Sequence, residues 1–282
     1  MLSVTKISKI NFIRNIYNVK SEQELKFNKK LQYISDIHLE YTEKIPKIKK
    51  TGDYLALLGD IGNPYNKNYQ DFLKYSSDNY EKIFLLSGNH EYWNLDDKNI
   101  KTMMQIEKQI ENITNNFSNI YYLNNKSHNL DKNYIILGTT LWSWIKKNFD
   151  SQMGDDNRIF IKNDKPITNH DLNYLFFENL IWLVENIQNN HHKKIIVLSH
   201  HLPSFELIDD VYKNEKYNKY HQKFASDLNF IIKKPIYAWL CGHSHSNLNK
   251  NINGVYCGIN AIGYPTKWKQ EKFDKENYIN LY

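Results

Sequence analysis

The sequence is poor in cysteine and in long apolar runs, and each shortage excludes a class of protein. Its 282 residues include only Cys241 and Cys257, which excludes a disulfide-stapled fold and favours a reducing, intracellular setting. Every apolar run is shorter than ten residues, so no transmembrane segment is predicted. The N-terminus also lacks the apolar stretch of a signal peptide. We therefore expect a cytoplasmic protein.

Arginine is scarce as well, and this weakens the argument from positive charge to nucleic-acid binding. The formal net charge of +6 and the isoelectric point of about 8.9 suggest nucleic-acid binding. Of the 37 basic residues, however, only Arg14 and Arg158 are arginine. Together with few alanines and many asparagines and isoleucines, this composition is typical of AT-rich codon usage, which produces a lysine-rich surface without selecting a partner. Nucleic acid therefore stays an alternative partner, not the leading one.

Strand and helix signals alternate along the chain. Short apolar runs predict strands at 31–35, 54–58, 82–87, 119–123, 134–142, 194–198 and 236–241. Apolar residues at helical spacing predict helices at 67–80, 96–116, 171–188 and 222–233. Asn253-Gly254 predicts a hairpin turn between two further strands. This order predicts an α/β sandwich with much of the sheet parallel and the helices outside.

Residues 1–30 differ in character from the rest of the chain. Valine or isoleucine recurs at every third position from Val4 to Ile16, with lysine and asparagine between. This pattern predicts an amphipathic helix that docks on the domain, and a membrane-surface helix is the alternative. We therefore divide the chain into an N-terminal extension, 1–30, and one domain, 31–282.

Polar residues follow five of the predicted strands at the points where the strands end. The segments are Asp36-Ile37-His38, Gly59-Asp60-Ile61-Gly62-Asn63, Gly88-Asn89-His90-Glu91, Ser199-His200-His201 and Gly242-His243-Ser244-His245, and they hold six of the eleven histidines. The carboxyl ends of strands in an open α/β sheet form its ligand crevice, so these segments should meet at one edge. Glycines at 59, 88 and 242 are expected to permit the sharp turns into them.

The residue types in these segments are those of a transition-metal site. On extended backbone, residues i and i+2 point the same way, so Asp36 with His38, and His243 with His245, can each send two side chains to a single site. Imidazole, carboxylate and amide oxygen together suit Mn, Fe, Zn, Co or Ni better than Ca. The candidate ligands are too many for one ion and about right for two that share a carboxylate. They are Asp36, His38, Asp60, Asn89, His200, His243 and His245.

As a set, these motifs resemble the calcineurin-like metallophosphoesterase superfamily over roughly residues 30–265. The resemblance implies a four-layer α/β/β/α sandwich with two divalent metal ions, manganese first among them. It also implies a phosphoester hydrolase, either a phosphomonoesterase or a phosphodiesterase, in which a metal-bridging hydroxide attacks phosphorus in line. The substrate is a phosphoester of unknown identity.

The resemblance also implies a role for each residue. Asp36, His38 and His245 would bind the first metal, Asn89, His200 and His243 the second, and Asp60 both. His90 would stay off the metals and protonate the leaving oxygen, oriented by Asp36. Of the pair His200-His201, the resemblance favours His200 as the ligand.

A narrower resemblance is to a bacterial-type branch of single-domain metallophosphoesterases. It rests on Leu141-Trp142, 155–159, 199–204, 224–228 and 260–265. It adds Asp156, Arg158 and His201 as candidates for substrate binding. A guanidinium suits a phosphate, although Arg158 could equally form an ion pair with Asp155 or Asp156.

Three other functions are weighed against this one. A nuclease or nucleotide phosphodiesterase would use aromatic residues near the loops, such as Trp93 and Tyr264, to stack a base. A non-catalytic scaffold on the same fold would have lost ligands, whereas every expected position is filled. A charge-driven nucleic-acid binder would show steep salt dependence. No cap domain is evident, so we expect an open crevice.

Overall fold

The chain folds around two β-sheets that pack face to face. The computed structural model describes residues 28–96, 99–146, 154–162, 165–267 and 277–282. Its strands are β1 (Lys29–Ile34), β2 (Tyr54–Leu58), β3 (Lys82–Leu86), β4 (Ile120–Tyr122), β5 (Lys126–Asn129), β6 (Tyr134–Thr139), β7 (Phe160–Lys162), β8 (Lys165–Pro166), β9 (Lys194–Ser199), β10 (Ile236–Cys241), β11 (Asn247–Ile252), β12 (Val255–Asn260) and β13 (Tyr278–Leu281).

Both large sheets have parallel strands at their centre. The first has the order β13-β1-β2-β3-β4 and the second the order β11-β12-β10-β9-β6-β5, while β7 and β8 pair separately. Only the edge strands β13, β5 and β11 run antiparallel to their neighbours in these two sheets. Asn253 and Gly254 both have positive φ and connect β11 to β12, which confirms the predicted hairpin turn.

Alternate residues of the central strands face opposite layers. In β2, Tyr54, Ala56 and Leu58 pack into a core with side chains of the second sheet. Leu55 and Leu57 face the other way and pack into the core that includes the helices. Burial on both faces explains why these strands are continuous apolar runs.

Helices cover the outer faces of both sheets. They are α1 (Lys67–Asn79), α2 (Met103–Thr114), α3 (Asn169–Asn189), α4 (Glu215–Asn218) and α5 (His221–Phe224). The first two contact the first sheet, and α3 contacts the second. This confirms the predicted four-layer α/β/β/α sandwich. Among the described residues, no helix combines the length and the apolar character needed to cross a membrane.

Two predicted helices are longer than the observed ones. The helix predicted at 96–116 begins only at Met103, because Thr102 caps it and forms a reciprocal capping box with Gln105. The helix predicted at 222–233 is wrong beyond Phe224, since Ala225 is extended and bridges to Leu202. The docking helix predicted within 1–30 has its apolar positions, Val4 to Ile16, outside the described residues, so this helix stays a prediction. β1 begins at Lys29, inside the predicted extension.

Candidate metal centre

The five polar segments predicted from the sequence meet at one edge of the molecule. Three of them follow β1, β2 and β3 of the first sheet, and two follow β9 and β10 of the second. Histidines from the two sheets meet here: His38, which follows β1, has its Nε2 2.9 Å from Nε2 of His245, which follows β10. The crevice is therefore built by both sheets.

The first group of side chains consists of Asp36, His38, Asp60 and His245. One potential ligand atom from each lies within 4.8 Å of the others. His38 Nε2 is 3.9 Å from Asp60 Oδ2, and His245 Nε2 is 3.5 Å from Asp36 Oδ1. Asp36, His38 and Asp60 are buried, and His245 is partly exposed.

The second group contains Asp60 again, with His200, His243 and Asn89. His200 Nε2 lies 3.1 Å from Asn89 Oδ1, 3.2 Å from His243 Nδ1 and 3.5 Å from Asp60 Oδ1. The Asp60 carboxylate therefore faces both groups, with Oδ1 toward His200 and Oδ2 toward His38. A carboxylate between two clusters of nitrogens is in the position of a bridge.

Three of the histidines use one ring nitrogen for a hydrogen bond to a group that is not a candidate metal ligand. Nδ1 of His38 lies 2.9 Å from Glu40 Oε1, and Nδ1 of His200 lies 2.8 Å from the backbone carbonyl oxygen at the end of β2. Nε2 of His243 lies 3.1 Å from the Lys223 carbonyl oxygen. Each of these nitrogens must donate, so in the neutral form of each ring the other nitrogen directs its lone pair toward the shared site. Such partners orient histidines that bind metals.

Burial and mutual interactions shift the pKa values of these groups. Burial alone would raise the pKa of Asp60, but His200 and His90 hold it well below its usual value. For His200, burial opposes the charge, yet the Asp60 carboxylate raises the pKa to about 9. Burial and the neighbouring histidines lower the pKa of His243 well below its usual value. The site thus holds a carboxylate and at least one histidine nitrogen with a free lone pair.

These residues fit a pair of divalent metal ions. His38 Nε2 and His245 Nε2 face each other across 2.9 Å, a separation that a shared proton or a shared cation accounts for. Two nitrogens that bind one ion at about 2.1 Å in cis positions lie about 3 Å apart, which matches the observed separations. Neither cysteine belongs to the groups, and the mixture of nitrogen and oxygen donors suits a transition metal.

Comparison with known proteins agrees with this geometry. A family model described as calcineurin-like phosphoesterase matches residues 30–247. This chain belongs to the calcineurin-like phosphoesterase family. It is 34% identical over 277 residues to the uncharacterised protein L509 of Acanthamoeba polyphaga mimivirus, covering 89% of this chain and 96% of that protein.

The fold also matches a solved structure. The structure of phosphopantetheinyl hydrolase from Mycobacterium tuberculosis superimposes with a TM-score of 0.67 at 15% identity, covering 89% of this chain and 95% of that one. The predicted enzyme class is confirmed: the chain is a metal-dependent phosphoesterase.

Glycines let the loops of this phosphoesterase approach one another closely. Gly59 has a φ of +86°, a turn that favours glycine, as expected. Gly88 and Gly242 have ordinary φ values, so the prediction of a special turn is wrong for them. Their role is to leave space: a Cβ on Gly88 would lie 2.2 Å from Asp60 Oδ1, and one on Gly242 would lie 2.6 Å from the Ser35 Cβ.

The backbone at the ligands is left-handed, not extended. Five of the seven candidate ligands have φ between 50° and 67°, namely Asp36, His38, Asp60, His243 and His245. The argument from extended i and i+2 positions therefore paired Asp36 with His38 correctly for the wrong geometric reason, whereas His243 and His245 lie in different groups. Aspartate and histidine tolerate this conformation better than branched residues do.

Glu91, the last residue of the Gly-Asn-His-Glu segment, connects the ligand loops. Its buried carboxylate accepts hydrogen bonds from the backbone N–H groups of Asp60 (2.9 Å), Ile61 (2.7 Å) and Gly88 (2.7 Å). Burial and the nearby Asp60 carboxylate raise the pKa of Glu91 to about 7. The side chain thus joins the loops after β2 and β3.

Glu40 is a site residue that the sequence analysis missed. Its Oε1 lies 2.9 Å from His38 Nδ1 and 2.8 Å from His90 Nδ1. The carboxylate that orients His90 is therefore that of Glu40, not that of Asp36 as expected. The sequence offered one signal for this role, namely that Glu40 lies two residues after the candidate ligand His38.

Asp155 is a second missed residue. Its Oδ1 accepts hydrogen bonds from Asn89 Nδ2 at 2.8 Å and from Trp93 Nε1 at 2.6 Å. With Nδ2 held in this way, the amide oxygen of Asn89 faces His200. The Trp93 ring in turn stacks on His90 with a centroid separation of 3.4 Å.

The three residues predicted to bind substrate lie in different surroundings. The Arg158 guanidinium lies over the Trp93 ring, 4.3 Å from its centroid, at the exposed edge of the site. His201 is buried, and its ring packs against Trp142 and His243 at 5.3 Å and 4.1 Å. The Asp156 side chain lies outside the described residues. Substrate binding by all three stays a prediction.

Proposed function

We propose that this phosphoesterase hydrolyses phosphoesters at a two-metal centre. The observation that carries the proposal is the shared carboxylate of Asp60, whose two oxygens face histidine nitrogens of different groups. When bound, a pair of divalent ions supplies an activated water and positive charge beside the phosphoryl oxygens. Asp36, His38 and His245 would hold one ion, and Asn89, His200 and His243 the other. Manganese is proposed first, with Fe, Zn, Co or Ni as alternatives.

His90 is proposed as the general acid. Its Nδ1 donates to Glu40, so Nε2 is left for the substrate in the cavity that His90 lines. The ring is held from a second side by stacking on Trp93. In the doubly protonated ring, the Nε2 proton can pass to the leaving oxygen as the ester bond breaks, and the neutral ring that results keeps its Nδ1–H on Glu40.

The test uses chelator-treated protein reconstituted with Mn²⁺ and assayed on p-nitrophenyl phosphate and its bis ester. Asp60→Asn should abolish hydrolysis of both, because the bridge loses its charge. The matched control is Asp78→Asn, an exposed residue of α1. Wild-type rates of Asp60→Asn on both esters would contradict the two-metal proposal, and a wild-type rate of His90→Ala on propyl phosphate, whose leaving oxygen needs a proton, would contradict the general-acid role.

A nuclease or nucleotide phosphodiesterase is the second candidate. It is favoured by the aromatic residues that line the cavity, among them Trp93 and Tyr264. Adding cyclic nucleotides and a single-stranded oligonucleotide to the substrate panel separates it from a phosphomonoesterase. A non-catalytic scaffold is a third possibility, and metal analysis would then show well under one bound metal ion per chain. An intracellular location stays a prediction.

A further inference from the structure

The candidate metal centre opens into a cavity of about 450 Å³ with an aromatic lining. Asp60, Asn89, His90, His243 and His245 form its floor. Six aromatic side chains also line it, and we call them the aromatic wall: Trp93, Tyr212, Tyr217, Tyr220, Phe224 and Tyr264. A substrate with its phosphoryl group at the floor would place its organic part against this wall.

Most of the aromatic wall comes from segment 205–224, which lies between β9 and β10 and contains α4 and α5. This segment is attached to the floor, because its Lys223 carbonyl accepts the hydrogen bond from His243 Nε2. His221 Nε2 lies 2.8 Å from the Tyr212 carbonyl oxygen, which links the two ends of the tyrosine-bearing stretch. The crevice expected to be open is therefore walled on this side.

Among the described residues that line the cavity, six are aromatic and Lys223 is the only lysine or arginine. The ammonium groups of Lys216 and Lys219 lie over the rings of Tyr217 and Tyr220, at 5.2 Å and 4.8 Å from the centroids. The Lys223 Nζ donates to Asn169 Oδ1 at 3.1 Å. Binding a polyphosphate or a long nucleic acid would need several cations along the path of the phosphates. The wall suits instead a single flat, largely apolar group.

We propose that the substrate is a phosphoester of a planar aromatic or heteroaromatic compound, about the size of a mononucleotide. The inference rests on the proposed phosphoester hydrolysis and adds the class of the organic group. Rings stack on tyrosine and tryptophan with little regard to their substituents, because every ring has a π-face. The volume lies within the range of pockets that hold small molecules.

The test compares substrates that differ only in the ring. Adenosine 5′-monophosphate is paired with ribose 5-phosphate, and benzyl phosphate with propyl phosphate, so the leaving groups within each pair are alike. We expect kcat/KM to be about tenfold to a hundredfold higher for the member with the ring. Tyr217→Ala should remove most of that advantage, so that the two kcat/KM values of each pair come close together. Tyr174→Ala, an exposed tyrosine of α3 outside the cavity, is the control.

A binding measurement separates this inference from the proposed function. Adenosine without phosphate is titrated into the metal-free wild type and into Tyr217→Ala and Tyr212→Ala, with saturation-transfer NMR as the readout. Binding that both variants weaken supports the aromatic wall even if no phosphoester is hydrolysed. Equal kcat/KM within both substrate pairs, with no adenosine binding, overturns it even if hydrolysis is fast.

Discussion

Replacing Glu40 with glutamine keeps the size of the side chain and removes its charge. In the native protein, one carboxylate oxygen accepts hydrogen bonds from both His38 and His90, and the other is buried without a hydrogen-bond partner in the described part of the chain. Burial favours the neutral acid, yet the two histidines outweigh it and lower the pKa of Glu40. The ionised carboxylate is thus the form that both histidines stabilise.

The magnitude follows from the two hydrogen bonds. A glutamine oxygen can still accept from both rings, so only the charge-assisted part is lost. Hydrogen bonds to a charged group contribute about 1.5–3 kcal/mol and neutral ones about 0.5–1.5 kcal/mol, a difference of roughly 1.4 kcal/mol or tenfold for each bond. The bond to His90 acts on proton donation and the bond to His38 on metal binding. We therefore expect Glu40→Gln to lower kcat about tenfold and to weaken Mn²⁺ binding about tenfold.

The assay exploits the leaving group. Propyl phosphate needs a proton on its leaving oxygen, whereas p-nitrophenolate leaves without one, so the loss of kcat should appear mainly with propyl phosphate. Calorimetry measures Mn²⁺ affinity, and Glu43→Gln, an exposed residue nearby, is the control. In the His90→Ala background, Glu40→Gln should cause no further loss of kcat. An equal loss on both substrates with unchanged Mn²⁺ affinity would refute the reasoning.

Further predictions concern other residues around the centre. Asp155→Ala should release the Asn89 amide and weaken Mn²⁺ binding about tenfold to a hundredfold in calorimetry; unchanged affinity would count against this orienting role. Glu91→Gln places an amide donor against backbone N–H groups, so chemical denaturation should show an unfolding free energy lower by about 1–3 kcal/mol. Because Asp60 raises the pKa of His200 to about 9, metal uptake near neutral pH should release a proton, and affinity should rise with pH. Without metal, the raised pKa of His200 stabilises the folded protein. This stability is complete below about pH 6.5, the pKa of His200 in the unfolded chain, and is lost as pH rises through about 9. Thermal unfolding in the presence of chelator measures it.

The location of the site was predictable because its signals are local. Asp36, Asp60, Asn89, His200 and His243 each follow an apolar run, and parallel strands bring such positions to one edge. The left-handed backbone was not predictable from the same pattern. It depends on hydrogen bonds between the loops, such as that from the Ile37 N–H to the Asp60 carbonyl.

The partners of the ligands were harder to predict, because they come from distant loops. Asp155 reaches Asn89 across 66 positions of sequence, and nothing in its neighbours distinguishes it from Asp156. The tyrosines at 212, 217 and 220 follow no helical or strand period. Their place in the aromatic wall depends on how segment 205–224 packs over the sheet edge.

The most direct test is a titration of Mn²⁺ into chelator-treated protein, with p-nitrophenol release from bis(p-nitrophenyl) phosphate measured at each step. A two-metal phosphoesterase predicts that the rate rises until about two ions are bound per chain, and that Asp60→Asn stays inactive throughout. A rate that ignores Mn²⁺, or an Asp60→Asn protein as active as the wild type, would contradict it.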